Sequence, residues 1–484
     1  MAKIINKYKN LPVQIRASFW FLICSFLQKG ISVITTPIFT RLLSTAEYGQ
    51  YGVFNSWLSI ITVFVTINLY QGMYVRGLVK YSDRRSIFSS TLQGLCLVLT
   101  LAWTIIYLIF HELINKLTSL TTVQMLAMLV MIWTTSAFTF WAAEKRVELK
   151  YKSLVILTIC ASIAKPVVGI IFVLNAEDKV TARILGLVLV ELIAYTGCFI
   201  VQMKRGKKFY SKQYWKEAII FNIPLIPHYL SMSVLNGADK IMIENMVGSS
   251  EAGIYSLAYS LSQIMKLFNT ALTQTIEPWL YKQIKANRLK EIGKVAYPSW
   301  AGIAIINLLL IACAPEAVRL FAPAEYYEAI WVIPPVAMSV YFIILYAFFA
   351  VFEFYFAKTK LVAIATCAGA VLNIILNYIF IKIYGYVAAG YTTLACYIVY
   401  AVMHYLFMVR ICKQEGMETH IYDMRILFGL SIVFMVAGFA LLMTYNYLIL
   451  RYSCLAAFLI AFVVFRKRII QEVKKIISVR GNRS

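Results

Sequence analysis

The chain alternates between long apolar stretches and short polar connections from one end to the other. Most stretches are close to the ~20 residues that an α-helix needs to cross a ~30 Å hydrocarbon core. The pattern predicts an all-α polytopic membrane protein of about 14 transmembrane helices, without a soluble domain large enough for its own core. The predicted spans are 17–38, 51–72, 87–110, 119–142, 153–175, 182–203, 219–242, 252–275, 298–314, 330–352, 361–381, 387–409, 426–446 and 448–465.

Basic residues are distributed unevenly between the two sides of the predicted membrane. Of 46 lysines and arginines, 35 fall in the N-terminus, the even-numbered connections and the C-terminal tail, and 7 fall in the odd-numbered connections or at the span ends beside them. Cytoplasmic connections carry such an excess of Lys and Arg, so we expect both termini to be cytoplasmic.

The net charge of +24 needs no nucleic-acid partner to account for it. The basic segments 204–216 and 466–475 lie beside predicted spans, where they would meet the headgroups of anionic membrane lipids. A polyanionic partner, such as a polysaccharide-synthesis complex, is the alternative interpretation.

The sequence contains an internal repeat. An E-x-G-x-Y pattern preceded by hydroxyl residues occurs at Ser44–Tyr51 and again at Gly248–Tyr255, where Ser or Thr before Glu is typical of a helix N-terminus. A second match aligns Lys150–Lys152 with Lys358–Lys360. Both copies begin with the same orientation, which predicts two pseudo-symmetric six-helix lobes around a central cleft, followed by two C-terminal helices. The predicted parts are an N-lobe (1–203), a basic linker (204–218), a C-lobe (219–410), two extra spans (424–466) and a cytoplasmic tail (467–484).

Charged side chains lie inside several predicted spans. Lys29 and Lys165 fall near the midplane, Lys266 falls in the cytoplasmic half of its span, and Glu191 is the single carboxylate that the predicted boundaries place deep in a span. Midplane lysines are costly in lipid and cannot reach water along the lipid face. Two interpretations remain open: Lys165 and Glu191 form a packing ion pair, or the lysines line an aqueous cavity.

A polar stripe along the eighth span favours a cavity. Its members recur at spacings of 3 and 4 residues, which places them on one helix face, and the eleventh span adds two asparagines. Hydrocarbon cannot satisfy such groups, so we expect them to face protein or water. The predicted lining is polar and net positive, which suits a phosphorylated, sugar-bearing ligand. Its residues are Lys29, Lys165, Tyr255, Tyr259, Ser262, Lys266, Asn269, Asn373 and Asn377.

Other ionisable residues are candidates for coupling or gating. Asp239 and Lys240, near the outer end of the seventh span, could form a gate, a coupling pair or a local ion pair. His228 follows two prolines in the same span and is either a proton-coupling residue or a packing histidine. Glu191 belongs with these candidates.

The sequence lacks the motifs of several common nucleotide-binding and metal-binding sites. The sequence lacks a phosphate-binding G-x-x-x-x-G-K-[ST] loop, an H-E-x-x-H pair and a D-x-D pair, so we expect neither an ATP site nor a metal or other cofactor. The nine cysteines include no C-x-x-C pair and are predicted to be reduced packing residues. The chain is predicted to be a transporter and not an enzyme.

The motifs resemble those of a known family. The stretches Pro224–Tyr229, Ala238–Ile243 and Gly253–Tyr259, together with Glu47–Tyr51 and Leu372–Tyr378, are similar to signatures of bacterial polysaccharide transporters. These are the Wzx-type flippases for lipid-linked oligosaccharides in the multidrug/oligosaccharidyl-lipid/polysaccharide exporter superfamily. The resemblance implies a two-lobed, fourteen-helix fold and alternating access in the bacterial inner membrane. It also implies an undecaprenyl-diphosphate-linked repeat unit as substrate, for O-antigen, capsule or exopolysaccharide.

Rival functions differ in substrate or in class. The lipid II flippases share the fold and the charge, whereas membrane-embedded polysaccharide polymerases and ligases resemble enzymes with a large exofacial loop. The longest such loop here, around 314–329, is short. A polysaccharide polymerase with its chain-length complex is a candidate partner. The sequence does not distinguish between transport coupled to protons, transport coupled to sodium ions and transport without a coupling ion.

Overall fold

Helices make up almost all of the computed structural model, which describes residues 13–458, 460, 463, 464 and 466. This part of the chain contains no β-strand, in agreement with the predicted all-α class. Packing contacts divide the chain into two compact units, Met1–Ser233 and Val234–Ser484. The boundary falls inside a helix, so it does not coincide with the lobes predicted from the repeat, and those lobes stay a prediction.

Unit 1 is a bundle of long helices joined by short turns. Its apolar core includes Phe54, Met128, Ile132 and Ile184, each at most 1 % exposed. The helices are α1 (Val13–Leu42), α2 (Thr45–Thr66), α3 (Met73–Lys80), α4 (Arg85–Ile109), α5 (His111–Thr118), α6 (Thr122–Val147), α7 (Tyr151–Leu174), α8 (Lys179–Gly206), α9 (Lys212–Asn222) and the first part of α10 (Ile226–Met246).

Unit 2 continues with the second part of α10. The helix α15 is its most buried span, with 83 % of its most apolar window inside the protein. The remaining helices are α11 (Ser249–Gln263), α12 (Met265–Lys285), α13 (Leu289–Ala312), α14 (Ala314–Phe321), α15 (Ile333–Tyr355), α16 (Thr359–Tyr384), α17 (Ala388–Gln414), α18 (Met424–Met443) and α19 (Leu448–Phe458).

The element order of unit 1 recurs in unit 2. The short helix α5 follows α4 as α14 follows α13, and three long helices then come in the order α6–α8 and α15–α17. The turn after α6 places Leu149 at φ 57°, and the turn after α15 places Ala357 at φ 53°. In both turns a lysine N–H closes the helix end, from Lys150 to the Lys145 carbonyl and from Lys358 to the Glu353 carbonyl. A shared unusual backbone supports the duplication.

Ten described helices are long and apolar enough to cross a membrane. Four of the fourteen predicted spans are not among them. They correspond to α1, to α2, to the α11–α12 pair and to α19. The predicted span 252–275 is interrupted at Ile264, between α11 and α12. The last span extends beyond Phe458, largely outside the described residues.

The predicted helix start at the first E-x-G-x-Y pattern is confirmed. The Glu47 N–H donates to Ser44 Oγ at 3.2 Å, and the Ser44 N–H donates to Glu47 Oε2 at 2.7 Å, which forms a capping box. The second copy differs, because Gly248 is the N-cap of α11 and Ser249 Oγ donates to Glu244 Oε1 at 2.6 Å.

Candidate functional site

In unit 1, a charged pair lies between α7 and α8. Lys165 Nζ is 2.6 Å from Glu191 Oε1, and the hydroxyls of Thr134 and Thr135 donate to Glu191 Oε2 at 3.1 and 3.0 Å. The ammonium also lies 5.1 Å from the centre of the Tyr195 ring. Because the carboxylate is almost fully buried, these donors replace the water that it would otherwise bind. Of the two interpretations of Lys165, the structure contains the ion pair.

A second buried carboxylate in unit 1 went unpredicted. Glu144 is 1 % exposed and accepts a 2.5 Å hydrogen bond from Gln202 Nε2. That amide also lies within 3.3 Å of Tyr74 Oη, and Gln93 Nε2 donates to Gln202 Oε1 at 2.7 Å. Hydropathy ended the predicted span at residue 142, whereas α6 continues to Val147 and keeps Glu144 inside the bundle.

Two other predicted residues of unit 1 are not among the described contacts of the charged pair. Lys29 is exposed on α1, and no described residue forms an ion pair with it. His228, at the start of α10, contacts the Tyr229 ring, and its buried Nδ1 has no hydrogen-bond partner among the described residues. Its predicted role in coupling stays a prediction.

In unit 2, Asp239 is the centre of a hydrogen-bond network. The carboxylate is 1 % exposed and accepts hydrogen bonds from Tyr255 Oη at 2.6 Å, from Asn377 Nδ2 at 2.8 Å and from Thr393 Oγ1 at 2.8 Å. Asn373 Oδ1 lies 3.2 Å from the same Asn377 amide. The structure thus joins predicted residues from three different spans around one carboxylate, whose charge is met by neutral donors.

Lys240 does not pair with Asp239, although the two are adjacent in sequence. Neighbouring residues on a helix point in different directions, and Lys240 Nζ instead lies 4.9 Å from the centre of the Tyr259 ring. Within the described residues, no salt bridge joins these two side chains. The local ion pair considered for them is therefore not formed.

The predicted polar stripe of the eighth span separates into two groups. Ser262 Oγ approaches the Ile333 carbonyl at 3.4 Å and Asn269 Nδ2 donates to the Val340 carbonyl at 2.8 Å, so both are packed against α15. Tyr259 and Lys266 instead approach Asn236 Oδ1, at 3.5 and 3.1 Å. That all these residues line one cavity stays a prediction.

A buried acid–base pair in unit 2 was also missed. Glu353 and His404 are both 0 % exposed, and Glu353 Oε1 lies 2.6 Å from His404 Nδ1. The rings of Tyr346 and Tyr400 pack against the imidazole at 5.3 and 4.4 Å. Glu191 is therefore not the single carboxylate buried in a span. An ionisable residue within an apolar span is a functional candidate by default. His404 lies in the predicted span 387–409, so the sequence alone could have identified it as such a candidate.

The described residues hold no group of three or more His, Cys, Asp or Glu that could bind a metal ion. All nine cysteines are free, and all but Cys160 are buried or half-buried.

Sequence comparison places this chain among known proteins. The profile of the family described as "Polysaccharide biosynthesis protein" matches residues 15–284, more than half of the chain. A curated relative, "Lsg locus putative protein 1" of Haemophilus influenzae, is 25 % identical over 211 residues, which cover 41 % of this chain. The matched region spans about half of that relative, 51 % of its length.

Solved structures share the fold at low sequence identity. The lipid II flippase MurJ in an inward closed conformation aligns with a TM-score of 0.65 and 15 % identity, over 94 % of this chain and 100 % of that one. An inward-facing multidrug resistance MATE family transporter of the MOP superfamily aligns with a TM-score of 0.61 and 13 % identity, over 80 % of this chain and 96 % of that one. The resemblance drawn from the motifs is confirmed at the level of family and fold. The chain is a multi-pass membrane protein with a transporter fold.

Proposed function

The chain belongs to the family of polysaccharide biosynthesis proteins, and we propose that it is a flippase for a lipid-linked oligosaccharide. The substrate is an undecaprenyl diphosphate that carries one repeat unit of a surface polysaccharide. The protein moves it from the inner to the outer leaflet of the bacterial inner membrane by alternating access. Family membership combined with a transporter fold is the observation that carries the proposal.

The charged and polar groups of the helices fit such a substrate. Lys29 supplies positive charge in a predicted midplane position, where a diphosphate would need it, and Lys165 adds a second charge that it shares with Glu191. Hydroxyls and amides, including those around Asp239, are the groups that bind sugar hydroxyls. The transfer breaks no covalent bond, so the chain acts as a transporter and not as an enzyme.

Partners and orientation follow from the same proposal. Both termini are cytoplasmic, given the excess of basic residues in the even-numbered connections. The basic connections contact anionic lipids, and a polymerase with its chain-length complex receives the product at the outer leaflet.

Deletion of the gene tests the substrate. We expect lipid-linked repeat units to accumulate in the inner leaflet and surface polysaccharide to disappear, while peptidoglycan synthesis continues. The two pools are measured by lipid extraction and by surface labelling. If surface polysaccharide persists while lipid II export stops, the substrate is lipid II instead. If both persist, the flippase proposal is wrong.

A further inference from the structure

Unit 1 contains a polar cavity whose lining includes neither Lys165 nor Glu191. It has a volume of about 390 Å³, within the ~300–1,000 Å³ range of small-molecule sites. Eight of its ten lining side chains can hydrogen-bond, and none carries a carboxylate, an ammonium or a guanidinium group. We propose that this cavity binds a sugar ring of the lipid-linked substrate, and this inference rests on the proposed function.

Three segments of unit 1 build the cavity. The second half of α2 contributes Ser59, the turn after it contributes Asn68 and Gln71, and the first turns of α10 contribute His228, Tyr229 and Ser233. Ser59 Oγ donates to Ser233 Oγ at 3.1 Å, which connects the α2 and α10 walls. The two walls are 174 residues apart in the sequence, so the cavity is a product of the fold and has no motif of its own.

The turn that forms one wall is strained. Ile67 and Asn68 have φ values of 44° and 49°, and Gly72 has a φ of 43°. A β-branched residue rarely adopts this left-handed conformation, and such strain persists only where the surrounding structure enforces it, often at ligand sites. A Cβ on Gly72 would lie 3.3 Å from the Phe221 ring and 3.8 Å from Tyr229 Oη. The backbone therefore approaches the α10 wall closely at the edge of the cavity.

The side chains that line the cavity favour a sugar as its ligand over the other parts of the substrate. A diphosphate requires cationic donors, which the cavity lacks, and a polyprenyl tail could not hydrogen-bond to the hydroxyls, amides and imidazole of its walls. Sugar hydroxyls both donate and accept, as the hydroxyls, amides and imidazole here do. The faces of Tyr70 and Tyr229 suit the C–H groups of a pyranose ring, because an aromatic face is electron-rich. The buried Nδ1 of His228, which has no hydrogen-bond partner within the described part of the chain, is available to one of these hydroxyls.

The predicted topology places this cavity in the cytoplasmic half of the membrane. The turn 67–72 is followed by Arg76, Lys80, Arg84 and Arg85, one of the basic connections assigned to the cytoplasm. A lipid-linked oligosaccharide assembled at the inner leaflet would meet the cavity first on this side. The cavity then selects sugar-bearing lipid over bare lipid at the loading step.

Binding to the full-length protein in lipid nanodiscs tests the proposal. The probes are bare undecaprenyl diphosphate and the lipid-linked oligosaccharide extracted from cells that lack the gene. Gln71→Leu and Ser59→Ala should each weaken binding of the sugar-bearing lipid about tenfold, the effect of one lost hydrogen bond to a desolvated group. Binding of the bare lipid should stay within about twofold of the native value. Gln50→Leu, the same substitution at the other end of α2 and outside the cavity, should change neither.

The possible outcomes separate the cavity from the proposed function. If the variants weaken binding of both lipids equally, or change binding of neither lipid, the cavity does not bind the sugar. If Gln71→Lys strengthens binding of the bare lipid, the cavity holds the diphosphate instead. If the deletion cells contain no lipid-linked sugar, or if the native protein binds neither probe, the flippase proposal itself falls. Unchanged thermal unfolding of each variant shows that the fold is retained, and Ser59→Ala, which only removes a hydroxyl, covers the case in which Gln71→Leu misfolds.

Discussion

Lys165 Nζ and Glu191 Oε1 lie 2.6 Å apart on neighbouring helices of unit 1. This contact changes the hypothesis for Lys165, because an ammonium held by a buried carboxylate carries less free charge for a phosphate. Lys29 has no such partner among the described residues. The two midplane lysines, equivalent in the sequence, therefore call for different experiments.

Loss of Lys165 should destabilise the protein through Glu191. Lys165→Ala leaves a buried carboxylate with only two threonine donors, which should cost about 3–5 kcal/mol of unfolding free energy. The double variant Lys165→Ala with Glu191→Gln should recover most of that loss, because it removes the unpaired charge. Thermal unfolding in detergent measures both. A double variant that is no more stable than the single one would show that the pair does not stabilise the fold.

Transport by a double variant with exchanged charges tests whether Lys165 has a role beyond its ion pair with Glu191. If the ion pair is its whole role, Lys165→Glu combined with Glu191→Lys should restore surface polysaccharide. If Lys165 also meets the diphosphate, the swap should restore protein level but not export.

Lys29→Ala should abolish export while protein level and unfolding temperature stay native. The side chain is exposed on α1 and forms no described ion pair, so its removal disturbs no packing. Lys29→Arg should retain part of the activity, because charge matters more than geometry at a diffuse phosphate site. Lys152→Ala, an exposed lysine near the start of α7, is the matched control and should export normally. Full export by both alanine variants would exclude a charge role for Lys29.

Tyr255→Phe should weaken unit 2 more than Tyr259→Phe. Tyr255 Oη donates to the buried Asp239 carboxylate at 2.6 Å, whereas Tyr259 Oη approaches a neutral amide oxygen at 3.5 Å. Hydrogen bonds to charged groups contribute about 1.5–3 kcal/mol and neutral ones about 1 kcal/mol. The two tyrosines are one helical turn apart on α11, so their unfolding temperatures form a matched comparison. Equal shifts would mean that the carboxylate does not depend on this donor.

The sequence predicts the fold well because the bilayer restricts what a chain can do. Apolar length predicts the spans, ten of which match long apolar helices of the described residues. Basic asymmetry predicts the orientation, and the duplicated patterns at Glu47 and Glu251 predict two copies. Side-chain partners are harder to predict, since they come from helices that are far apart in sequence. Asp239 meets Asn377 across 138 residues. Glu353 was missed because its predicted span ended one residue earlier, although the helix continues to Tyr355.

Orientation can be tested independently of substrate. Reporter fusions after Lys212 and after Arg483 should report the cytoplasm, and an insertion near Glu325 should report the outside. The reason is that 35 basic residues are assigned to the cytoplasmic side and only 7 to the opposite side, counting the span ends beside its connections. Glu325 lies in the 3₁₀ segment Ala324–Trp331 between α14 and α15, so an insertion there interrupts no long helix. A cytoplasmic signal from that site would require a different number of spans before it.

The connection between α6 and α7 should make stability depend on pH in a defined direction. Glu148 lies there within 3.3 Å of Lys145 Nζ and 3.0 Å of Lys150 Nζ. Burial disfavours its ionised form, but the hydrogen bonds and charges of Lys150 and Lys145 outweigh burial and lower the pKa of Glu148 below its ordinary value. The folded protein thus holds this proton less tightly than the unfolded chain. The stabilisation is complete above the unfolded pKa, near 4.5, and is lost as the pH falls through the lower folded value.

Glu148→Gln removes this contribution at neutral pH. We expect the variant to lose up to about 1 kcal/mol of unfolding free energy at pH 7, the range of partly exposed ion pairs. The difference from the native protein should shrink as the pH falls below about 4.5, because the native carboxylate is then protonated as well. Glu112→Gln, an exposed residue of α5 outside any described ion pair, is the control and should unfold at the native temperature at pH 7. Unfolding temperatures of the three proteins between pH 7 and pH 3 measure the effect. A Glu148→Gln deficit that persists undiminished at pH 3 would mean that the carboxylate acts through packing and not through its charge.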